Sequence, residues 1–145
     1  RGVCQADFDG DGDLDVVIVH QDQLVGLLQN QTLNKDARNG GNHFVNFEFL
    51  GVFSNRRGIG CKVVVEQSGK RWTQQLIGGG SYASSRQPKL FFGLGGNSEP
   101  VSFTVSWPGG VDLNGEPLHP HTQTFENIMP DQSFVIHERH GLVVH

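Results

Sequence analysis

Apolar and polar residues alternate along much of this chain. The clearest stretch runs from Val101 to Trp107, where every odd position is apolar and every even position is Ser or Thr. A period of two places one set of side chains on a single face of a β-strand. Val45, Phe47 and Phe49 show the same alternation. Both segments are therefore predicted to be half-buried strands.

Short apolar runs bounded by turn residues predict further strands. They recur at intervals of about 8–15 residues with Gly and Pro between them, and no helical period separates them. These additional strands are predicted at 62–66, 71–77, 89–92, 125–128 and 133–137. The pattern predicts an all-β fold whose main domain is an antiparallel β-sandwich or is barrel-like.

The N-terminal part is predicted to form a separate unit. Two apolar runs, Val16–Val19 and Leu24–Leu28, enclose a polar turn and predict a β-hairpin within residues 1–33. Residues 34–42 contain no large apolar side chain and are the predicted linker. An isolated hairpin is marginally stable in water. We therefore expect it to pack onto the second domain or onto a second copy, forming a homodimer through the hairpin.

The second domain is predicted to span 43–138, with a solvated C-terminal tail at 139–145. The net charge of −4 argues against a nucleic-acid partner. No apolar run approaches the roughly 18 residues of a membrane span, so no membrane insertion is expected. The chain begins at Arg1 and shows no signal peptide, so we expect a fragment of a longer protein with any such peptide upstream. The two cysteines, Cys4 and Cys61, could form one bridge or remain two buried thiols.

An acidic loop is the strongest chemical feature of the sequence. Five carboxylates occupy alternate positions, and they belong to Asp7, Asp9, Asp11, Asp13 and Asp15. Unneutralised carboxylates this close together repel one another. Calcium binds six to eight oxygen atoms and removes that repulsion. Gly10 and Gly12 permit the backbone angles that wrapping around an ion requires.

The loop begins like an EF-hand but departs from it. The twelfth position, where an EF-hand has a bidentate Glu, is Ile18 inside a strand-like run. We therefore predict a structural calcium site that leads into a strand, and magnesium fits less well because it keeps its waters. Side-chain oxygens are expected from every loop aspartate except Asp13, which offers its backbone carbonyl. The alternative is a solvated acidic turn that binds nothing.

Asp7 to Val19, followed by Leu28-Gln29-Asn30, resembles the calcium loop and strand of FG-GAP/VCBS repeats. These repeats are the blades of integrin-α-like β-propellers. One blade cannot close a propeller. The resemblance therefore implies the last repeat, or half of it, of a larger propeller-containing protein.

Residues 43–138 resemble the ASPIC/UnbV domain, which typically follows such repeats in secreted proteins. Four blocks carry the resemblance, at 54–60, 78–84, 92–95 and 105–110. Two positions depart from the family pattern: Cys61 replaces a small residue, and Gly110 stands where Ser is often found. The resemblance implies an extracellular or periplasmic location and says little about chemistry.

The same blocks suggest a ligand surface. Gly78–Gly80 could expose backbone amides to an anion, with Asn55, Arg56 and Arg57 nearby. Ser81 belongs to the same block, and Tyr82 and Trp107 could stack on a sugar or peptide. The alternative is structural: a tight connection at the glycines, an ion pair at Arg57 and a core position for Trp107.

Together these features predict a calcium-binding, non-catalytic extracellular binding or adhesion module that recognises a carbohydrate or protein ligand. No G-x-S-x-G elbow, Walker loop or dinucleotide fingerprint is present. His119 and His121 could form half of a transition-metal site, but no third ligand is identifiable. The alternatives are a hydrolase-type enzyme with its site in the sandwich and a purely structural capping domain.

Overall fold

A computed structural model describes residues 2–32, 41–80, 82, 84–112 and 114–144, the last without its side chain. The strands are β1 (Gly2–Ala6), β2 (Asp15–Val19), β3 (Gly26–Leu28), β4 (His43–Leu50), β5 (Lys62–Gln67), β6 (Lys70–Gln75), β7 (Lys89–Gly95), β8 (Val101–Trp107), β9 (Gly110–Val111), β10 (Pro117–Leu118), β11 (His121–Ile128), β12 (Gln132–His137) and β13 (Gly141–Val144). The predicted all-β fold is confirmed. Over these residues, the structure contains no helix long and apolar enough to cross a membrane.

Two four-stranded sheets enclose the core. Their strand orders are β11-β8-β5-β6 and β13-β12-β4-β7. Phe47 of β4 and Phe103 of β8 meet between the sheets, with ring centroids 4.5 Å apart. The alternating side chains of Val101–Trp107 are buried at every apolar position, as their period of two predicts. The sheets do not close into a barrel, so the arrangement is that of a β-sandwich.

One strand pair in the sandwich is parallel. β12 runs parallel to β4, with Phe134 opposite Phe47 and Ile136 opposite Phe49, whereas the other paired strands are antiparallel. A hairpin forces its two strands to be antiparallel, but distant strands are free of that constraint. β4 and β12 are separated by most of the second domain. The sequence pattern predicts the strands themselves but not this direction.

The predicted solvated tail is wrong for 141–144. These residues form β13, which pairs with β12 and sets Leu142 opposite Ile136. Leu142 packs against the core. The turn between the strands is closed by His137, whose Nδ1 accepts the backbone N–H groups of Arg139 and His140 at 3.1 and 3.2 Å. The segment is too short for its pattern to distinguish a strand from a tail.

The N-terminal residues form a three-stranded sheet with the order β1-β2-β3. The predicted hairpin of β2 and β3 is present, and β1 adds a third strand that the sequence pattern did not indicate. Val17 lies between Cys4 of β1 and Leu27 of β3. The acidic loop connects β1 to β2, so its two ends are held together by the pairing of Ala6 with Asp15.

This sheet packs onto the second domain, as the sequence analysis predicts. Gln87 donates its backbone N–H to the carbonyl of Gln5 at 3.2 Å. The Asn46 side chain donates to the carbonyl of Gly12 at 3.1 Å, and this bond is buried. Ser84 Oγ donates to the carbonyl of Val3 at 3.0 Å. Most of the predicted linker, 34–40, lies outside the described residues.

Candidate functional site

The acidic loop brings three carboxylates together. Oxygen atoms of Asp7, Asp9 and Asp15 all lie within 4.8 Å of one another. Two oxygens bound to one calcium at about 2.4 Å each are at most about 4.8 Å apart. The cluster therefore has the size of a single cation site. Asp11, which was expected to contribute a side-chain oxygen, is not part of this cluster.

Side-chain to backbone hydrogen bonds shape the loop. Asp7 Oδ1 accepts the Gly10 N–H at 2.7 Å, and Asp9 Oδ1 accepts the Asp11 N–H at 3.2 Å. Asp11 Oδ1 accepts the Asp13 N–H at 3.1 Å. Short polar side chains that bond to the backbone two or three residues later are typical of tight turns. These bonds orient the carboxylates relative to the backbone of the loop.

Asp15 anchors the base of the loop. Its side chain is buried, with only 1% of the residue exposed. One carboxylate oxygen accepts the Phe8 N–H at 2.9 Å and the other accepts the Asn30 N–H at 2.8 Å. Each carboxylate oxygen has a second lone pair. Both oxygens can therefore hold the backbone and still face a cation.

Among the residues that the structure describes, one ammonium group partly neutralises the charge of the cluster. Lys89 Nζ lies 3.9 Å from Asp7 Oδ2 and 3.8 Å from Glu48 Oε1, and its side chain is 9% exposed. One ammonium group therefore serves two carboxylates, while Asp9 and Asp15 add further negative charge. Burying carboxylates without a counter-charge is costly. An all-oxygen donor set with excess negative charge fits a hard divalent cation such as calcium.

The predicted ligand surface is only partly assembled. Asn55 has a structural role, because its Oδ1 accepts the N–H groups of Arg57 and Ile59 at 3.0 and 3.3 Å. Arg56 and Arg57 are exposed. The glycine segment lies beside this loop, since a β carbon at Gly78 would be 3.8 Å from Ile59 Cγ2. Ser81 lies outside the described residues.

Trp107 does not belong to that surface. It is 1% exposed and packs edge-on against Phe49, with ring centroids 5.8 Å apart. Its Nε1 donates to Gln123 Oε1 at 3.0 Å. The predicted stacking of Trp107 on a ligand is therefore wrong, and the core alternative is correct. Tyr82, in contrast, is 83% exposed.

Glu138, a buried residue that the sequence does not single out, holds the backbone at 52–54 in place. Glu138 Oε2 accepts the N–H groups of Val52 and Phe53 at 2.6 and 2.7 Å. Its Oε1 accepts the Ser54 hydroxyl at 2.6 Å. Burial raises the pKa of Glu138, but these hydrogen bonds outweigh burial and hold the pKa below its ordinary value. A single acid following an apolar strand gives no sequence signal for this role.

The histidine pair and the cysteines form no metal site within the described residues. His119 and His121 line a cleft of about 330 Å³ that also contains Glu138. His121 Nε2 is 4.0 Å from Glu138 Oε1, which is too long for a hydrogen bond. Cys4 and Cys61 are both free thiols. Burial, together with the charge of Glu138, raises the pKa of Cys61 to about 12.

The fold and the docked acidic loop define a small β-sandwich module with a candidate cation site. The chain belongs to the ASPIC and UnbV family, whose sequence profile matches residues 51–142. This match covers more than half of the chain and continues into β13. It leaves the acidic loop outside, so the resemblance of that segment to FG-GAP/VCBS repeats stays a prediction.

Curated relatives match most of this chain. Cartilage acidic protein 1 from Homo sapiens and its counterpart from Mus musculus are each 33% identical to this chain over 110 residues. The protein of the same name from Xenopus tropicalis is 31% identical over 110 residues. Each alignment covers 75% of this chain and 16% of the relative. The chain therefore corresponds to a small part of these relatives.

Proposed function

We propose that this chain is a calcium-binding, non-catalytic extracellular binding module. The observation that carries the proposal is the convergence of the Asp7, Asp9 and Asp15 carboxylates within 4.8 Å. These three side chains would hold the ion. Calcium would supply positive charge that offsets their mutual repulsion and fixes the loop.

The docking of the loop gives this site a structural purpose. Gly12 contacts the second domain through Asn46, and Asp15 connects the loop to the segment after β3. A cation that binds the folded loop and not the unfolded chain stabilises the loop together with the contacts that it makes. Calcium would therefore strengthen the junction between the N-terminal sheet and the sandwich.

The N-terminal sheet is proposed to be part of an FG-GAP/VCBS blade. Its apolar side chains support this assignment: Leu24, Val25, Leu27 and Leu28 are all more than half exposed. A cluster of exposed apolar residues on an edge strand favours contact with further protein. The same observation supports a second candidate function, a purely structural domain that caps the propeller. A homodimer through this sheet is the other arrangement that would cover it.

The contacts of Ser54 argue against this serine as a catalytic nucleophile. Its hydroxyl donates directly to Glu138 at 2.6 Å. A nucleophilic serine needs a base, usually a histidine, that accepts its proton and is oriented by a third group. Ser54 instead stabilises a buried carboxylate. The relatives named for cartilage support an extracellular location.

Calorimetric titration with calcium tests the proposal. Asp9→Asn removes one charge from the cluster, and Asp22→Asn removes one from the exposed turn between β2 and β3 as a matched control. We expect saturable binding of calcium by the unaltered chain and by Asp22→Asn. Asp9→Asn is expected to bind at least about tenfold more weakly because a charged ligand is lost. Equal affinities of the two variants, or no calcium binding by the unaltered chain, would contradict the proposal.

A further inference from the structure

A polar cleft lies where the N-terminal sheet meets the sandwich. It has a volume of about 360 Å³. Gln5 and Leu14 line it from the N-terminal side, and Gln74, Arg86 and Lys89 are among the residues that line it from the second domain. Binding clefts occur preferentially at such junctions. We infer that this cleft binds an acidic oligosaccharide, one that carries carboxylate or sulfate groups.

The charge of the cleft favours an anion. Arg86 and Lys89 both line it, and none of its lining residues is acidic. Lys89 already faces the carboxylates of Asp7 and Glu48, at 3.9 and 3.8 Å, so the positive charge available to a ligand is that of Arg86. Arg86 is exposed and forms no ion pair with any carboxylate in the described parts of the chain. Its guanidinium group can bind a carboxylate or sulfate through two parallel hydrogen bonds.

Oriented amide groups favour a sugar. Gln74 Nε2 donates to the carbonyl of Phe91 at 2.7 Å, and Gln75 Nε2 donates to the carbonyl of Gly60 at 3.1 Å. These bonds fix the amides, and their oxygens accept no hydrogen bond from another described residue. Gln87 Oε1 accepts the Asp7 N–H at 3.1 Å, which leaves its amide nitrogen to donate.

A sugar hydroxyl both donates and accepts hydrogen bonds, so it can satisfy amide oxygens and amide nitrogens alike. The side chains of an acidic peptide only accept, and its backbone supplies one N–H per residue, whereas a sugar ring carries several hydroxyls. The combination of fixed amide acceptors, an amide donor and the Arg86 guanidinium group therefore matches an acidic sugar better than an acidic peptide.

The cleft is linked to the acidic loop through Asp7. Lys89 Nζ lies 3.9 Å from Asp7 Oδ2, and Gln87 is bonded to the Asp7 backbone. This part of the inference rests on the proposed function: a calcium ion held by Asp7 would weaken the attraction of Lys89 to that carboxylate. Lys89 then keeps Glu48 as its carboxylate partner at 3.8 Å, and its ammonium group can also attract an anionic group of the ligand. Coupling of this kind is reciprocal, so saccharide would also raise the affinity for calcium.

Calorimetry with a heparin-derived tetrasaccharide tests the inference, in calcium and separately in EDTA. Cellotetraose is the neutral control and a tetraglutamate peptide is the acidic non-sugar control. Arg86→Gln is expected to weaken saccharide binding by about tenfold, because a charged hydrogen bond is lost. The matched variant Arg139→Gln, an exposed arginine in the turn between β12 and β13 and at the opposite edge of that sheet from β7, is expected to leave binding unchanged. Equal melting temperatures of the two variants show that both are folded.

The inference is overturned if Arg139→Gln loses as much affinity as Arg86→Gln, or if cellotetraose or the peptide binds as tightly as the acidic saccharide. Absence of saccharide binding in a chain that demonstrably binds calcium would overturn the inference and leave the proposed function intact. Saccharide binding through Arg86 in a chain that binds no calcium would support the cleft and contradict the proposed function.

Discussion

The ring of Phe44 lies directly against Gly12, where an added β carbon would be 2.2 Å from Phe44 Cζ. Gly12 belongs to the acidic loop, and Phe44 belongs to β4 of the sandwich. Gly12 also has a φ of +100°, which disfavours any other residue. The loop therefore depends on this glycine both for its shape and for its contact with the second domain.

Replacement of Gly12 by alanine is expected to destabilise the protein more than replacement of Gly10. Both glycines have positive φ, at +100° and +77°, so both variants carry backbone strain of about 1–2 kcal/mol. Only the Gly12 variant also clashes, because no described atom lies within 4 Å of a β carbon at Gly10. Urea denaturation should give a free energy of unfolding that is lower for Gly12→Ala by a further 1–3 kcal/mol or so, about the cost of overpacking. Equal losses would show that the loop is not tightly docked.

Glu138→Gln is expected to loosen the loop at 52–54. The glutamine side chain keeps one oxygen that can accept the N–H groups of Val52 and Phe53, but it lacks the negative charge that strengthens these bonds and places an amide nitrogen next to Ser54. We expect a loss of about 2–3 kcal/mol in the free energy of unfolding. Glu66→Gln is the control, since that carboxylate is 56% exposed and its pairing with Arg71 is at the surface. Similar stabilities of the two variants would contradict the anchoring role of Glu138.

The stabilising effect of Glu138 is expected to depend on pH. Its folded-state pKa lies below its ordinary value of 4.5, so the unfolded chain binds the proton more tightly. The stabilisation is therefore complete above the unfolded pKa and is lost as the pH falls through the folded pKa. The difference in unfolding free energy between the unaltered chain and Glu138→Gln should be constant from about pH 7 to 5 and shrink below about pH 4. A difference that grows on acidification would contradict this assignment.

The sequence predicts what depends on local patterning. The alternation along Val101–Trp107 correctly predicts which of its side chains are buried. The apolar run that follows the acidic loop correctly predicts a strand there. The resemblance to the ASPIC/UnbV domain is confirmed by the family match to residues 51–142. These features are either periodic within a few residues or carried by contiguous motifs.

Contacts between distant segments could not be predicted in the same way. Glu138 bonds to residues more than 80 positions earlier, and β12 joins β4 across a similar distance. Trp107 has a polar atom and follows a strand pattern, so sequence alone allows both a buried and an exposed position. The cleft beside Arg86 depends on how the N-terminal sheet docks. No local pattern encodes these relationships.

Trp107→Ala and Tyr82→Ala should differ in their free energies of unfolding, because Trp107 lies in the core and Tyr82 lies at the surface. Trp107 is 1% exposed and Tyr82 is 83% exposed. Truncation of the tryptophan is expected to lower the free energy of unfolding by about 3–5 kcal/mol because it leaves a large cavity. Truncation of the tyrosine should change it by less than about 0.5 kcal/mol. Chemical denaturation measures both values, and a small loss for Trp107→Ala would contradict its core position.

The two thiols should react differently. Cys61 is fully buried, and its pKa is raised to about 12, so at pH 8 almost none of it is thiolate. Cys4 is only half-buried. A thiol-specific reagent should modify Cys4 in the native protein and both residues after denaturation, as mass spectrometry of the labelled peptides can measure. Labelling of Cys61 in the native protein, or recovery of a Cys4–Cys61 bridge, would contradict the structure.

A thermal melt of this chain in EDTA and across a calcium series, with magnesium as control, tests the central claim most directly. A ligand at 100 times its dissociation constant stabilises the folded state by about 2.7 kcal/mol, which is about 5–10 °C for a domain of this size. We predict a calcium-specific rise in the melting temperature that Asp9→Asn reduces and Asp22→Asn does not. A melting temperature that is the same in EDTA and in saturating calcium would contradict a cation site coupled to the fold.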